Sequence, residues 1–268
     1  MWTLEKLTDE RVILACLQHD RIYAAYAVGD LEPALFPSTT WYGAIDAGPI
    51  EALLMVYHGL VPPVLFVMGV PEGAGFLLHA ADLPAHVFVT CRSRHLPVVQ
   101  AHYRFPDVRP MLRMRVRPAD FLSCDFEGAA VRLTSADGSL LEALYAQGGD
   151  FAPDAFSPRQ LDDGVFYGIF DGARPGESGR LVAAAGTHLL ARAYGIAAVG
   201  NIYTHPAYRG QGLARAVTSA VTADLLAAGL DVVLNVHENN NHALRIYQRL
   251  GYQIHCRFFE GPAQCLIV

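Results

Sequence analysis

The chain has 268 residues, of which 52% are hydrophobic and 17% charged, and its formal net charge is -6. That length predicts one large or two modest domains with enough interior for a core, and the composition excludes a disordered polymer. The acidic balance argues against a general polyanion-binding surface, so nucleic acid is not an expected partner, although a local patch can still hold one phosphate-bearing ligand.

Apolar runs such as Val64-Leu65-Phe66-Val67-Met68 fall well short of the roughly 18 residues a membrane span requires and are punctuated by Gly or Pro, so no membrane partner is expected. The segment Met1–Lys6 lacks a basic stretch followed by an apolar core, which makes a cytoplasmic location the expectation. Cys16, Cys91, Cys124, Cys256 and Cys265 are odd in number and never spaced as Cys-x-x-Cys, arguing against a disulfide framework and a zinc site.

In chain order, the first half predicts a helix-rich start to about Val28 and strands near Trp41–Ile45, Ile50–Tyr57 and Val64–Gly69. Next comes a glycine-containing turn, Pro71-Glu72-Gly73-Ala74-Gly75, opening a helix-like run, and then a strand at His86–Cys91. The stretch from Arg117–Asp120 through Glu127–Gly128 is the best boundary, giving domains 1–120 and 128–268. The second half predicts a strand near Ala130–Leu133, a helix from Gly138 to about Ala146, and strands at Val165–Phe170, Leu181–Leu189 and Ala197–Thr204. The period then changes: Leu213, Val217, Ala220, Val221, Leu225 and Ala228 recur at helical spacing, and Gly229 stops the helix. A strand at Asp231–Val236 follows, then a helix capped by Asn240 or Asn241 with Ala243, Ile246, Tyr247 and Leu250 on its apolar face, and a strand from Tyr252 to Phe259. This is an α/β order with helices covering a mixed sheet. In both halves a strand runs into a glycine-containing turn and a helix, which reads as an internal duplication.

The turn Arg209-Gly210-Gln211-Gly212-Leu213-Ala214 carries the chemistry. A strand that ends in such a turn and at once begins a helix leaves several N–H groups unpaired at the positive end of the helix dipole, a seat for phosphate. Gly210 and Gly212 allow a pyrophosphate to approach the backbone, and Arg209 adds a permanent planar cation. A dinucleotide fingerprint needs a small residue where Arg215 stands, and a Walker loop needs a lysine, whereas the single lysine is Lys6.

The segment from Ile202 to Ala214 resembles the Arg/Gln-x-x-Gly-x-Gly/Ala signature of the GNAT acyltransferases, and Leu234-Asn235-Val236 through Tyr252 resembles that superfamily's following strand and helix. The resemblance implies a GNAT fold, a mixed and mostly antiparallel sheet flanked by helices, in two GNAT-like halves of which the first is degenerate. The tandem layout is similar to the branch that includes glycine N-acyltransferase. It implies acetyl-coenzyme A, or another acyl-coenzyme A, as co-substrate and a small amine or peptide as acceptor. Tyr203 and Thr204, next to Ile202, would offer backbone groups to the pantetheine arm. The residues Arg209, Gly210, Gln211, Gly212, Leu213 and Ala214 would hold the diphosphate, Asn240 would contact the coenzyme, and Tyr247 would lie near its sulfur. In the first half the position matching Arg209 is Glu72, whose carboxylate would repel a pyrophosphate, so one coenzyme per chain is expected.

Transfer from a thioester to an amine needs a neutral amine, donors for the oxyanion and a proton for the thiolate. Tyr247 is the candidate acid, since a phenol of pKa about 10 is protonated at neutral pH and can supply a thiolate whose conjugate acid lies near 8.5. The strand Ala197–Thr204 has no carboxylate to serve as base, Ala198 standing about where relatives carry one; His188, Asn201 and Tyr203 are weak substitutes. His237 and His242 are five apart, about 140° round a helix, so no metal site is expected. Acetyl transfer to a primary amine is the leading expectation, with a non-catalytic acyl-coenzyme A-binding module and a glycine-type N-acyltransferase as alternatives. The sequence leaves a homodimer open.

Overall fold

The computed structural model describes residues 1–124, 130–149, 152–153, 156–172 and 179–266. The chain forms two compact units, one comprising Met1–Arg113 with His237–Asn239 and the stretch from Ile254 on, the other Met114–Val236 with Asn240–Gln253.

The first unit runs β1 (Thr3–Leu7), α1 (Glu10–Leu17), α2 (Ala25–Gly29), β2 (Thr39–Ile45), β3 (Ile50–Tyr57), β4 (Val64–Gly69), α3 (Pro71–Ala80), β5 (His86–Arg92), α4 (Leu96–Gln100), β6 (Tyr103–Arg104) and β7 (Arg109–Val116), the last carrying the chain into the second unit. Neighbouring strands from β1 to β4 pair antiparallel, and β4 pairs with β5 in parallel. Both faces of β3 are covered, which is why Ala52 to Val56 is an unbroken apolar run instead of an alternating one. The expected helix-rich start to about Val28 holds in α1 and α2 but not in the first residues. Thr3–Leu7 is a strand along β2, and its charged residues Glu5 and Lys6, both exposed, suit an edge.

The second unit runs β8 (Val131–Arg132), α5 (Gly138–Tyr145), α6 (Gln160–Asp163), β9 (Phe166–Asp171), β10 (Arg180–Ala191), β11 (Ile196–Thr204), α7 (Leu213–Ala227), β12 (Asp231–His237) and α8 (Asn241–Arg249), after which β13 (Gln253–Cys265) carries the chain back into the first. Its sheet repeats the plan of the first: β8 to β11 pair antiparallel in sequence, and β11 pairs with β12 in parallel. The parallel step in each unit follows from the crossover helix, α3 or α7, inserted between the two strands. Helix α7 packs over β9, β10 and β11 through Leu213, Val217, Val221 and Leu225, and α5 packs against β10 and β11. Thr222 is fully buried because its hydroxyl bonds the Thr218 carbonyl at 2.7 Å and the Tyr252 hydroxyl at 2.8 Å.

The fold is that of a mixed, mostly antiparallel sheet with flanking helices. The division into 1–120 and 128–268 does not describe the end of the chain. Strand β13 pairs antiparallel with β5, Phe258 opposite Arg92 through Gln264 opposite His86, so the stretch from Ile254 belongs to the first unit. Which edge a strand joins is settled by its partner, not its own pattern. The Glu127–Gly128 part of the expected boundary lies outside the described residues. Among the described residues no helix is long and apolar enough to cross a membrane.

Candidate active site

The site begins where two strands part. Strands β11 and β12 are paired from Ile196 opposite Asp231 to Val199 opposite Leu234 and no further, although β11 continues to Thr204 and β12 to His237. Against β10 the register of β11 shifts between Ala184/Tyr203 and Gly186/Gly200, leaving an extra residue on β11. Asn201, inside this bulge, has φ 52. That conformation costs most residues about 1–2 kcal/mol, and Asn is one of the few that adopts it readily. It is held from three sides: its Nδ2 donates to Gln160 Oε1 (3.2 Å) and the Thr187 carbonyl (3.3 Å), and its carbonyl accepts from the Tyr145 hydroxyl (2.7 Å). The bulge bends β11 where pairing ends, and the edge of Gly200–Thr204 toward β12 is left without ladder partners.

At the end of β11, Tyr203 is buried, its ring edge-on to Tyr145 and its hydroxyl donating to the Gly148 carbonyl at 2.6 Å. Ile202 and Thr204 are half-buried. His205 caps the short turn Pro206–Tyr208, its Nδ1 accepting from the Ala207 N–H at 3.2 Å. Burial, and then the neighbouring Arg180 and Arg209 guanidiniums, push its pKa down.

The turn itself follows. Gly210 and Gly212 have φ 81 and 82, a region open to glycine, and a Cβ at either would meet nothing within 4 Å. Glycine is therefore required here by the backbone path and not by crowding. The residues Arg209, Gly210, Gln211 and Gly212 are exposed, Ala214 is half-buried, and Leu213 anchors the helix in the core. Helix α7 has no side-chain cap, and its first described internal bond is Ala216 N–H to the Gly212 carbonyl. Among the described residues no acceptor takes the N–H groups from Gly210 to Arg215, so a row of donors opens at the positive end of a 15-residue helix. Arg209 Nε donates to the Thr204 carbonyl at 3.4 Å with its guanidinium 5.9 Å from the Tyr203 ring centre, which holds the cation beside the turn. Thr204 Oγ1 and Arg215 Nε, at either end of the turn, are buried without partners among the described residues. Unpaired donors, open space and a tethered cation fit a diphosphate.

On α8, the Asn240 side chain accepts from the Ala243 N–H (3.1 Å), which selects Asn240 over Asn241 as cap and leaves its Nδ2 for other use. Tyr247 is buried, 6.2 Å from the Tyr252 ring, and its hydroxyl forms no hydrogen bond among the described residues. Burial raises its pKa well above the ordinary phenol value, so it is fully protonated at neutral pH. The sequence reading missed Asn201 as a bulge residue and gave no role to Asn235, whose Oδ1 is buried and unpaired. An asparagine in a β run was the only signal for either. Of the other base candidates, Tyr203 and Asn201 are engaged as above. His237 and Glu238 are spent on an Asn239 N–H and on Arg257, and no metal-binding cluster occurs among the described residues.

The corresponding turn of the first unit is built differently. Helix α3 starts at Pro71, one residue after β4, so Glu72 lies inside the first helical turn instead of four residues ahead of a helix as Arg209 does; the expected one-to-one match of these two positions is corrected. Val70 N–H is bonded to the Glu51 carbonyl (2.9 Å), and a Cβ on Gly73 would come within 3.0 Å of Ala52 Cβ and 3.2 Å of the Trp2 ring. His95 closes the end of β4, its Nε2 2.8 Å from the Gly69 carbonyl.

Residues 139–252 match the family model described as acetyltransferase (GNAT) family. Three solved structures share the fold. An acetyltransferase of the GNAT family from Novosphingobium aromaticivorans is 24% identical with a TM-score of 0.52, covering 75% of this chain and 84% of its own. A Drosophila protein is 13% identical with a TM-score of 0.68, covering 97% of this chain and 98% of its own. A tandem GNAT protein from the clavulanic acid biosynthesis pathway is 15% identical with a TM-score of 0.58, covering 98% of both chains. Coverage of that extent is compatible with two GNAT-like halves. The stretch that holds the parted strands, the turn and α8 thus matches the acetyltransferase (GNAT) family model and is carried on a GNAT fold.

Proposed function

We propose that the second unit transfers an acetyl group from acetyl-coenzyme A to a primary amine of a small molecule or peptide, and that the first unit is a degenerate copy without coenzyme. The single observation that carries this reading is the row of N–H groups from Gly210 to Arg215, unpaired among the described residues, in the turn that follows the end of β11 where it parts from β12. In this reading Arg209, Gly210, Gln211, Gly212, Leu213 and Ala214 hold the diphosphate, Ile202, Tyr203 and Thr204 offer main-chain groups to the pantetheine arm, and Asn240 Nδ2 adds a donor. Tyr247, protonated and unpaired, gives its proton to the departing sulfur. The coenzyme supplies the activated acyl group; the chain supplies position, donors and that proton.

The absence of a carboxylate on β11 favours one rival, a module that binds acyl-coenzyme A without chemistry. Thiol release from acetyl-coenzyme A over a panel of primary amines separates the two. Amine-dependent release is expected, and tight coenzyme binding without it would favour the module. A glycine-type acyltransferase would instead prefer aromatic or longer acyl donors. In the same assay Gly212→Val, which forces a β-branched residue to φ 82, should weaken coenzyme affinity about tenfold or more. An unchanged dissociation constant would remove the turn from the site.

A further inference from the structure

Asn235 is the first residue of β12 beyond the last pair with β11, and its Oδ1 is buried with no donor among the described residues. Buried carbonyl oxygens are nearly always paired, so one kept unpaired where two strands open is an acceptor awaiting a donor from a ligand. On the unpaired end of β11, Asn201 Nδ2 is engaged with Gln160 and Thr187, the Asn201 carbonyl with Tyr145, and the Tyr203 hydroxyl with Gly148. No Asp or Glu stands on β10, β11 or α8, and Asp231, the one acid on β12, lies at the strand's other end.

We infer that Asn235 Oδ1 receives an N–H of the acceptor, and that the acceptor class is a weakly basic primary amine that arrives uncharged. The inference rests on the acyl transfer proposed above. An amide oxygen accepts a hydrogen bond but does not take a proton at neutral pH. It can therefore orient a neutral amine, whose lone pair stays free to attack, yet cannot strip an ammonium. At pH 7.5 about a third of a peptide α-amine of pKa about 7.8 is neutral, against about a thousandth of a lysine side chain of pKa about 10.4, a difference of more than 100-fold. In the transfer the amine nitrogen forms the C–N bond, the C–S bond breaks, the sulfur takes the Tyr247 proton, and the surplus proton on nitrogen passes through water back to the Tyr247 oxygen. No further reactant is needed.

The test uses two acceptor peptides, one with a free amino terminus and no lysine, the other blocked at its terminus and carrying one lysine, with the whole chain and its Asn235→Ala and Asn235→Asp variants. The unaltered protein should favour the free terminus by about 100-fold in kcat/KM, with the acid limb of its pH profile at the pKa of the amine itself. Asn235→Ala should raise the KM of that peptide about tenfold, leave coenzyme affinity within about twofold, and leave Tm unchanged or higher because an unpaired buried atom is removed. Asn235→Asp, which supplies a group able to take a proton, should narrow the preference over the lysine peptide. A preference for lysine, turnover of neither peptide, an Asn235→Ala KM equal to the original, or a lowered Tm would each overturn the inference. Loss of coenzyme binding by the unaltered protein would instead sink the proposed function itself.

Discussion

Tyr247 is buried and keeps its proton at neutral pH. Desolvation lifts this phenol well above its usual pKa, and in the reaction proposed above it is the group that protonates the departing sulfur. Tyr247→Phe should lower kcat about 100-fold in the thiol-release assay while coenzyme affinity stays within about twofold, since the ring is retained. The variant should be no less stable than the parent, because the hydroxyl has no partner among the described residues to lose. Equal turnover would leave Tyr247 a packing residue. At this scale the sequence named the turn residues and Tyr247, offered Asn201 only as a weak base, and gave Asn235 no role of its own. Gly-x-Gly before a helical period implies unpaired amides wherever it occurs, whereas a positive φ at Asn201 and an orphaned oxygen on Asn235 exist only once strands are in register.

Among the elements, the end of β4 in the first unit makes a claim about pH. His95 is wholly buried, with Nε2 on the Gly69 carbonyl and Nδ1 without a partner. Burial outweighs the Gly69 contact and pushes its pKa from 6.5 down to about 4. The unfolded chain thus binds this proton below about pH 6.5 while the folded chain refuses it until about pH 4. Stability should fall with acidity across that window, by up to about 1.4 kcal/mol per pH unit from this one group, and level off below it. Denaturant melts between pH 7 and pH 4 on the parent and His95→Gln check this, the variant being expected to lose that slope. Most elements were legible, with β3 and β4 predicted to the residue because long apolar runs between turn residues have one reading. Strand β1 was not, because Thr3–Leu7 becomes a strand only by lying along β2. The short α6, β6 and the strand β7 were missed for the same reason: each is too brief or too mixed to show a period of its own.

At the scale of the molecule, two units share one plan and differ at one turn. The first places Glu72 in the opening turn of α3, pairs the Val70 N–H and packs Gly73 against Ala52 and Trp2, whereas the second leaves its amides free and its glycines in open space. Calorimetric titration with acetyl-coenzyme A should therefore give one equivalent per chain, and two would refute the difference. The sequence alone determined the α/β alternation, the repeated strand-turn-helix and the glycine-rich turn, because these follow from periodicity and from the few residues that tolerate φ above zero. Only the tertiary structure decided that β13 completes the sheet of the first unit, that β11 and β12 part after Val199 and Leu234, and that Asn235 is left unpaired there. Each of these depends on which strand edge meets which, and a strand's own residues specify its faces but not its neighbour.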